Sequence, residues 1–301
     1  MLSKALGKYP EYRFKNGSKR LWNPILKKSF ADLPEERVRL ALVEYLINDL
    51  GFSSSRISFE SPVKLQTDKT QSRTDLIYYN KDFKPELLIE CKAPDVKLTE
   101  KVSIQIARYN EKINARYLLI SNGLVDYWFK NGAGGVEPLA WLPDKYEQNE
   151  PTVRHTEYWG LRGFIGKNTD TSSKDVLGNF CEQLFSDPVQ PIKYLDFDGF
   201  PEAYALNHYY RIFGIDKNTK LGYSISANIS GRTRFNIILN VKGLNNVFVT
   251  ADINNKKFSE VAVHSGKGIN TVDLNELVDL SRDTILKDHA VELSKMLISY
   301  S

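Results

Sequence analysis

Apolar residues recur at helical spacing from Val38 through Leu42, Val43, Tyr45 and Leu46 to Leu50, which lines them along one helix face. The pattern predicts a helix opening at Pro34-Glu35-Glu36, with Pro34 in the first turn, Asp32 as N-cap and Gly51 as the stop. Three β-like runs follow at 57–63, 74–79 and 86–91. Val102, Ile106, Tyr109 and Ile113 then return every three or four residues, which predicts a second helix over 99–113. Residues 116–123 read as a buried strand ending in a turn, and 125–130 as another strand. The order α-β-β-β-α-β-β predicts a mixed sheet flanked by helices, an α/β fold.

The texture changes after about residue 140. Residues 143–160 are rich in Pro, Asp, Glu, Gln and Asn and read as a linker. A short helix is expected over 175–185. From 220 onward, apolar and polar residues alternate over 221–229, 234–241, 247–253 and 258–264, broken at Gly231, Gly243 and Asn254-Asn255. That is the pattern of an antiparallel meander. An amphipathic helix over 280–298 closes the chain. The expected organisation is a first α/β domain over 1–142, a linker over 143–160, and a β-rich α+β domain over 161–301. There are no repeats and no low-complexity segments.

Composition adds four points. Hydrophobic residues at 42% and charged residues at 26% are ordinary for a globular protein. No apolar run approaches the roughly 20 residues that span a bilayer, and the N-terminus lacks an apolar signal core, so a cytoplasmic protein with no membrane partner is expected. Cys91 and Cys181, the two cysteines, provide neither a disulfide framework nor a zinc cluster. The net charge of +4 is uneven: residues 1–30 hold eight Lys/Arg against the single acid Glu11, interleaved with Tyr9, Tyr12, Phe14, Trp22 and Phe30. Such a basic arm suits a polyanion, and equally describes a solvated N-terminal extension.

The densest chemistry lies on the two neighbouring runs. Asp75 begins one, and Leu87-Leu88-Ile89 on the other ends in Glu90-Cys91-Lys92. Carboxylates of Asp75 and Glu90 suit Mg²⁺, with Mn²⁺ as substitute. A metal there lowers the pKa of a bound water and polarises a phosphate. Lys92 falls on the same strand face as Glu90, and the carbonyl of Cys91 between them can complete the coordination. Surface salt bridges also produce this pattern. Charge at the end of an apolar strand, however, calls for a partner or a metal.

The stretch resembles the PD-(D/E)xK nuclease superfamily, and within it the N-terminal nuclease domain of type I restriction enzyme R subunits. Trp22-Asn23-Pro24, Lys27-Lys28, Pro34-Glu35-Glu36 and Val38-Arg39 are similar to the opening segment of that family. Arg73-Thr74-Asp75 resembles its R-x-D strand, and Glu90-Cys91-Lys92-Ala93-Pro94 its ECKAP motif. Gln105 and Tyr109 match its Q-x-x-x-Y helix, and Tyr117 to Gly123 with Asp126-Tyr127 the strand and turn that follow. The likeness spans about residues 20–130.

The resemblance implies a restriction-endonuclease-like fold in which Asp75, Glu90 and the Cys91 carbonyl hold the metal and Lys92 is catalytic. It also implies that Glu36 on the first helix touches the metal directly or through water, with Glu35 its neighbour and Glu44 a rival. First-turn acids complementing the helix dipole are the plain alternative for Glu35 and Glu36. Gln105 and Tyr109, four apart on one helix face, are expected to position DNA or the site; a half-buried Tyr109 in the core is the alternative. Arg73 either contacts phosphate or pairs with an acid. The expected activity is DNA endonuclease cleavage of restriction or defence type. An inactive nucleic-acid-binding or complex subunit, or a nuclease acting on RNA or branched DNA, are the other readings. DNA, a second copy of the chain and subunits of a restriction complex are the expected partners.

Departures from the family pattern limit this. There is no G-x-x-x-x-G-K-[ST] loop for a motor; at Gly166-Lys167, Leu161 occupies the first glycine position and Asn168 follows the lysine. His155, His208, His264 and His289 have no metal spacing. Gly132, Gly134 and Gly135 form no phosphate cradle. Tyr204, Tyr209 and Tyr210 beside Arg211 suit core packing better than base stacking.

Overall fold

Period-two alternation in the strand Pro85–Cys91 sends Leu87, Ile89 and Cys91 to one face of a sheet and Leu88 to the other. The computed structural model describes residues 1–60, 62–63, 72–147, 154–197, 206–280 and 287–301. Contacts divide the chain into two units, Met1–Glu11 with Lys19–Val153, and Tyr12–Ser18 with Arg154–Ser301. Residue 61, residues 148–153 of the expected linker, Tyr204 of the tyrosine cluster and 281–286 of the expected closing helix lie outside the described residues.

The first elements are β1 (Glu11–Lys15), β2 (Ser18–Asn23), β3 (Lys28–Phe30) and α1 (Pro34–Glu44). Then come β4 (Ile57–Phe59), β5 (Pro62–Val63), β6 (Ser72–Arg73), β7 (Leu76–Tyr79), β8 (Pro85–Cys91), α2 (Glu100–Ile113), β9 (Tyr117–Ser121), β10 (Asp126–Gly132) and β11 (Gly135–Pro138). Six strands form a mixed sheet in the order β11-β10-β9-β8-β7-β4. Strands β8 and β9 run parallel, and α2 supplies the long crossover that a parallel pair needs. The other pairs are antiparallel.

The two helices cover opposite faces. Val38, Leu42 and Leu46 pack with Leu76, Leu87, Ile89, Leu119 and Trp128. Ile106, Tyr109 and Ala115 pack with Ile77, Leu88, Leu118 and Ile120. Each such buried aliphatic side chain contributes about 1.5–3 kcal/mol. Helix α2 ends where Asn114 adopts a left-handed backbone (φ 54°). The buried Asn110 amide accepts from the Ala115 N–H and donates to the Ala115 carbonyl, fixing the turn into β9.

The start of α1 departs from expectation. Leu33, not Asp32, occupies the N-cap position and makes no side-chain cap bond. Asp32 lies one residue too early, and its carboxylate takes the charge-assisted bond from Arg37 Nη1 instead (2.6 Å). Beyond Glu44 the backbone continues in a wider turn, with the Leu50 N–H donating to the Tyr45 carbonyl five residues back.

The basic residues 1–30 are folded, not an extended arm. The Met1 carbonyl accepts from the Asp126 N–H (2.9 Å) and the Ser3 N–H donates to the Leu124 carbonyl (3.1 Å). Lys8 pairs with Asp49 at 2.6 Å, and Tyr9, Tyr12 and Leu21 are buried. In the 143–160 stretch, Tyr146 is fully buried and its carbonyl accepts from the Tyr45 hydroxyl. Lys145 pairs with Glu86. Polar composition hid these anchors.

The second unit holds α3 (Thr156–Leu161), α4 (Thr171–Phe185), β12 (Ile192–Leu195), β13 (His208–Gly214), β14 (Thr219–Ala227), β15 (Thr233–Val241), β16 (Leu244–Asn254), β17 (Lys257–Ser265), β18 (Gly268–Asn270) and α5 (Lys287–Ile298). Its seven strands pair in sequence order, each antiparallel to the next. Leu221, Tyr223 and Ile225 stand opposite Leu239, Ile237 and Phe235, all fully buried. Asp170 caps α4 through the Ser173 N–H (2.9 Å). Gly166 is a close-approach position: a Cβ there would lie 2.2 Å from the Gly231 carbonyl oxygen. The Gly166-Lys167 pair thus packs against a β-turn. Tyr210 is fully buried and its hydroxyl donates to the Leu206 carbonyl. Among the described residues no helix is long and apolar enough to cross a membrane.

Gly123, after β9, has φ +79°, and a Cβ there would lie 2.8 Å from Val38 Cγ2. Gly123→Ala is expected to lower stability by about 1–3 kcal/mol in denaturant unfolding. Adding Val38→Ala should remove the steric part and leave the backbone cost. An unchanged midpoint for Gly123→Ala rejects this account.

Candidate active site

The apolar run Leu87-Leu88-Ile89 is buried, so β8 carries charge only on either side of that run, at Glu86, which pairs with Lys145, and at Glu90. Glu90 shares the face of Leu88 and looks toward α2. Its Oε1 accepts from Lys92 Nζ (2.6 Å) and from Gln105 Nε2 (3.1 Å). Gln105 Nε2 also lies 3.0 Å from the Tyr109 hydroxyl, which accepts from it. One helix turn and one strand end therefore join four side chains in a chain, Tyr109 to Gln105 to Glu90 to Lys92. The Lys92 N–H extends the pairing of β8 with β9 by donating to the Ser121 carbonyl (2.8 Å), which fixes the backbone under this group.

Asp75 precedes β7. Its Oδ2 accepts from the Cys91 N–H at 2.6 Å, which ties it to the β8 backbone between Glu90 and Lys92. Its Oδ1 faces α1, where it forms an ion pair with Arg39 Nη2 at 2.9 Å. Arg39 Nη1 lies 3.2 Å from Glu36 Oε2 and 3.2 Å from Glu60 Oε1. Glu35 Oε1 stands 3.8 Å from Arg39 Nη2. Glu60 is held in place by its own N–H, which donates to the Asp75 carbonyl.

The structure thus brings the site residues into two sets that meet at Asp75. Glu90, Lys92, Gln105 and Tyr109 form one, and Glu36, Asp75 and Arg39 the other. Arg73 is exposed on β6 and pairs with Glu60 Oε2 at 3.5 Å. Glu44 lies about 12 Å further along the α1 axis than Glu36. Arg39 and Glu60 carry no role in the sequence reading. Arg39 had a legible signal: it follows Glu35 by four residues and Glu36 by three, the spacings that meet on a helix face. Glu60 had none, because only the fold carries it to α1.

Burial pushes the Glu90 carboxyl up to about 7, and the nearby Asp75 charge adds to this against the opposing Lys92. Glu36 is raised by burial, partly offset by Arg39. For Lys92, burial works against the charged form, but the bond and charge of Glu90 outweigh it and hold the ammonium above its ordinary value. Burial raises the fully enclosed Cys91 thiol well above its usual range, so it is a neutral wall of the site.

Residues 34–143 match the family described as type I restriction enzyme R protein N terminus (HSDR_N). The match covers just over a third of the chain and contains α1, β7, β8 and α2. No curated protein matches the chain. The HSDR_N segment holds every acid of the two sets, together with Lys92, Gln105 and Tyr109.

A nuclease family carries the expectation of a divalent metal. The donor set fits a hard cation in kind: carboxylate oxygens of Glu36, Asp75 and Glu90, with Glu36 Oε1 buried and lacking a hydrogen-bond partner. Among the described residues, however, no three or more His, Cys, Asp or Glu side chains converge on one point. Asp75 Oδ1 and Glu36 Oε2 point to the Arg39 guanidinium instead.

A carboxyl whose folded value lies above its ordinary 4.5 favours folding only while protonated. The contribution of Glu90 is fullest below about 4.5 and is lost as pH rises through about 7. Glu90→Gln removes the ionisation cost, so the thermal midpoint at pH 8 is expected to rise by roughly 2–5 °C. The gain should shrink toward pH 5. A gain that grows on acidification contradicts this assignment.

Proposed function

We propose that the HSDR_N segment is the core of a metal-dependent DNA endonuclease with a restriction-endonuclease-like fold. The observation that supports it most is the hydrogen-bonded run Tyr109–Gln105–Glu90–Lys92 beside Asp75, directly after the buried apolar run Leu87-Leu88-Ile89. In this reading Asp75, Glu90 and the Cys91 carbonyl hold Mg²⁺, for which Mn²⁺ substitutes, and Glu36 contributes from α1. Bound there, the cation acidifies a water and offsets phosphate charge.

The remaining work falls to the chain itself. Gln105 fixes the Glu90 carboxylate by donating to Oε1, so that carboxylate does not rotate freely. Lys92, anchored on the same oxygen, keeps its charge. It presents its remaining protons to an attacking water or to the phosphate oxygen on which charge develops. The Tyr109 hydroxyl accepts from Gln105, which leaves its own proton for a backbone phosphate. Arg73, exposed next to Glu60, adds charge where a strand would pass. A double-strand cut requires two such sites, so a second copy of the chain or a subunit of a restriction complex is the partner this reading calls for. The antiparallel second unit is a candidate for substrate recognition or self-association.

The test is incubation of the full chain with supercoiled, linear and branched DNA, single strands and RNA, with Mg²⁺, Mn²⁺ or EDTA. Divalent-dependent cleavage of duplex DNA is expected, and Asp75→Asn and Lys92→Ala should each lose about 100-fold or more in rate. Cleavage restricted to RNA or branched DNA changes the substrate. No cleavage of any nucleic acid, or cleavage undiminished in Lys92→Ala, rejects the endonuclease reading.

A further inference from the structure

The α1 side of the site carries unbalanced charge. Glu35, Glu36, Glu60 and Asp75 meet Arg39 and Arg73, four carboxylates against two guanidinium groups. Glu90 and Lys92 add a balanced pair. The excess is two negative charges, the complement of one divalent cation. The atoms through which a cation could enter are also distinct. Asp75 Oδ2 is committed to the Cys91 N–H, so Oδ1 is the oxygen that Asp75 can offer. Arg39 Nη2 holds that oxygen at 2.9 Å. Glu36 offers Oε1, which is buried without a hydrogen-bond partner, while its Oε2 stays with Arg39 Nη1.

We propose that Arg39 is a positioning residue that exchanges partners with the cation. Its Nη2 leaves Asp75 Oδ1 for Glu35 when a divalent ion binds, and its Nη1 remains on Glu36 and Glu60. The spacing supports a short movement. Glu35 Oε1 already stands 3.8 Å from Nη2, and its side chain is 42% exposed, so it can close on the guanidinium without repacking the core. Glu60, also partly exposed, keeps the second nitrogen neutralised throughout. Arg39 itself is 10% exposed, and a buried guanidinium released with no acceptor would be costly. Glu35 thereby acquires a role distinct from that of a ligand: it receives Arg39. Arg39 draws Asp75 Oδ1 and Glu36 Oε2 onto itself; the exchange frees Asp75 Oδ1, and Glu36 offers its unpartnered Oε1 while Oε2 stays with Nη1.

This inference rests on the divalent-cation reading of the site but not on cleavage. The experiment is calorimetric titration of the 301-residue chain with Mg²⁺ at fixed ionic strength, alongside thermal unfolding in EDTA. Arg39→Gln is expected to bind Mg²⁺ about tenfold more tightly, because one charged competitor for Asp75 is gone. Glu35→Gln should bind about fivefold more weakly, and in the Arg39→Gln background it should change affinity by less than about twofold. That loss of effect separates a partner exchange from a general change in charge, which would weaken binding equally in both backgrounds. If Arg39→Gln does not fold, Arg39→Lys serves. It keeps the charge but has a single nitrogen, so Glu35→Gln should likewise lose its effect. Equal penalties for Glu35→Gln with and without Arg39, or weaker Mg²⁺ binding in Arg39→Gln, overturn the proposal, as does a wild-type chain that binds no Mg²⁺. Mg²⁺ binding through Asp75 without cleavage of any nucleic acid leaves the exchange standing and removes the endonuclease reading.

Discussion

Burial of Leu87, Leu88 and Ile89 between α1 and α2 constrains the whole N-terminal unit. A strand enclosed on both faces cannot hold charge along its length, since an unpaired buried charge is costly. Its charged residues, Glu86 and Glu90, therefore flank the apolar run, and they need partners from the neighbouring elements. Each helix supplies them on its own side. Gln105 and Tyr109 reach Glu90 from α2, and Arg39 reaches Asp75 from α1. The same packing that makes the core thus brings the polar groups to one rim.

The two sides of that rim differ electrostatically. On the α2 side, one lysine and one glutamate share a short bond, and neutral donors complete the shell. On the α1 side, one guanidinium serves several carboxylates and leaves negative charge in excess. Burial raises the Glu36 carboxyl on one side and the Glu90 carboxyl on the other, with Arg39 and Lys92 respectively opposing it.

The second unit follows a simpler rule. Its strands pair in sequence order, so each hairpin brings together residues close along the chain. The large side chains on one face, Tyr223, Phe235 and Phe258, form a contiguous aromatic core with Phe180 of α4. This half lies outside the matched residues 34–143.

The sequence by itself determined the elements with strong period. Helices α1 and α2, strands β7 to β10 and the meander β14 to β17 all read from the spacing of apolar residues, because that spacing is a local property. It also marked Glu90 and Lys92, since charge following an apolar run is visible without coordinates. Other features were decided only by tertiary structure. Strands β1 to β3 pair locally with one another, but the anchoring of the first residues depends on contacts more than a hundred positions away, such as the Met1 carbonyl accepting from the Asp126 N–H. Strands β12 (Ile192–Leu195) and β13 (His208–Gly214) show no clean alternation of apolar and polar residues. Asp32 lost the cap to geometry, because a one-residue offset at Pro34 turned it toward Arg37. Above all, the partners of Arg39 could not be read along the chain. Two of them, Glu35 and Glu36, lie within one helix turn, but Glu60 and Asp75 arrive through the pairing of β4 with β7. Charge pairing acts through space, and only the folded sheet puts those four acids around one guanidinium.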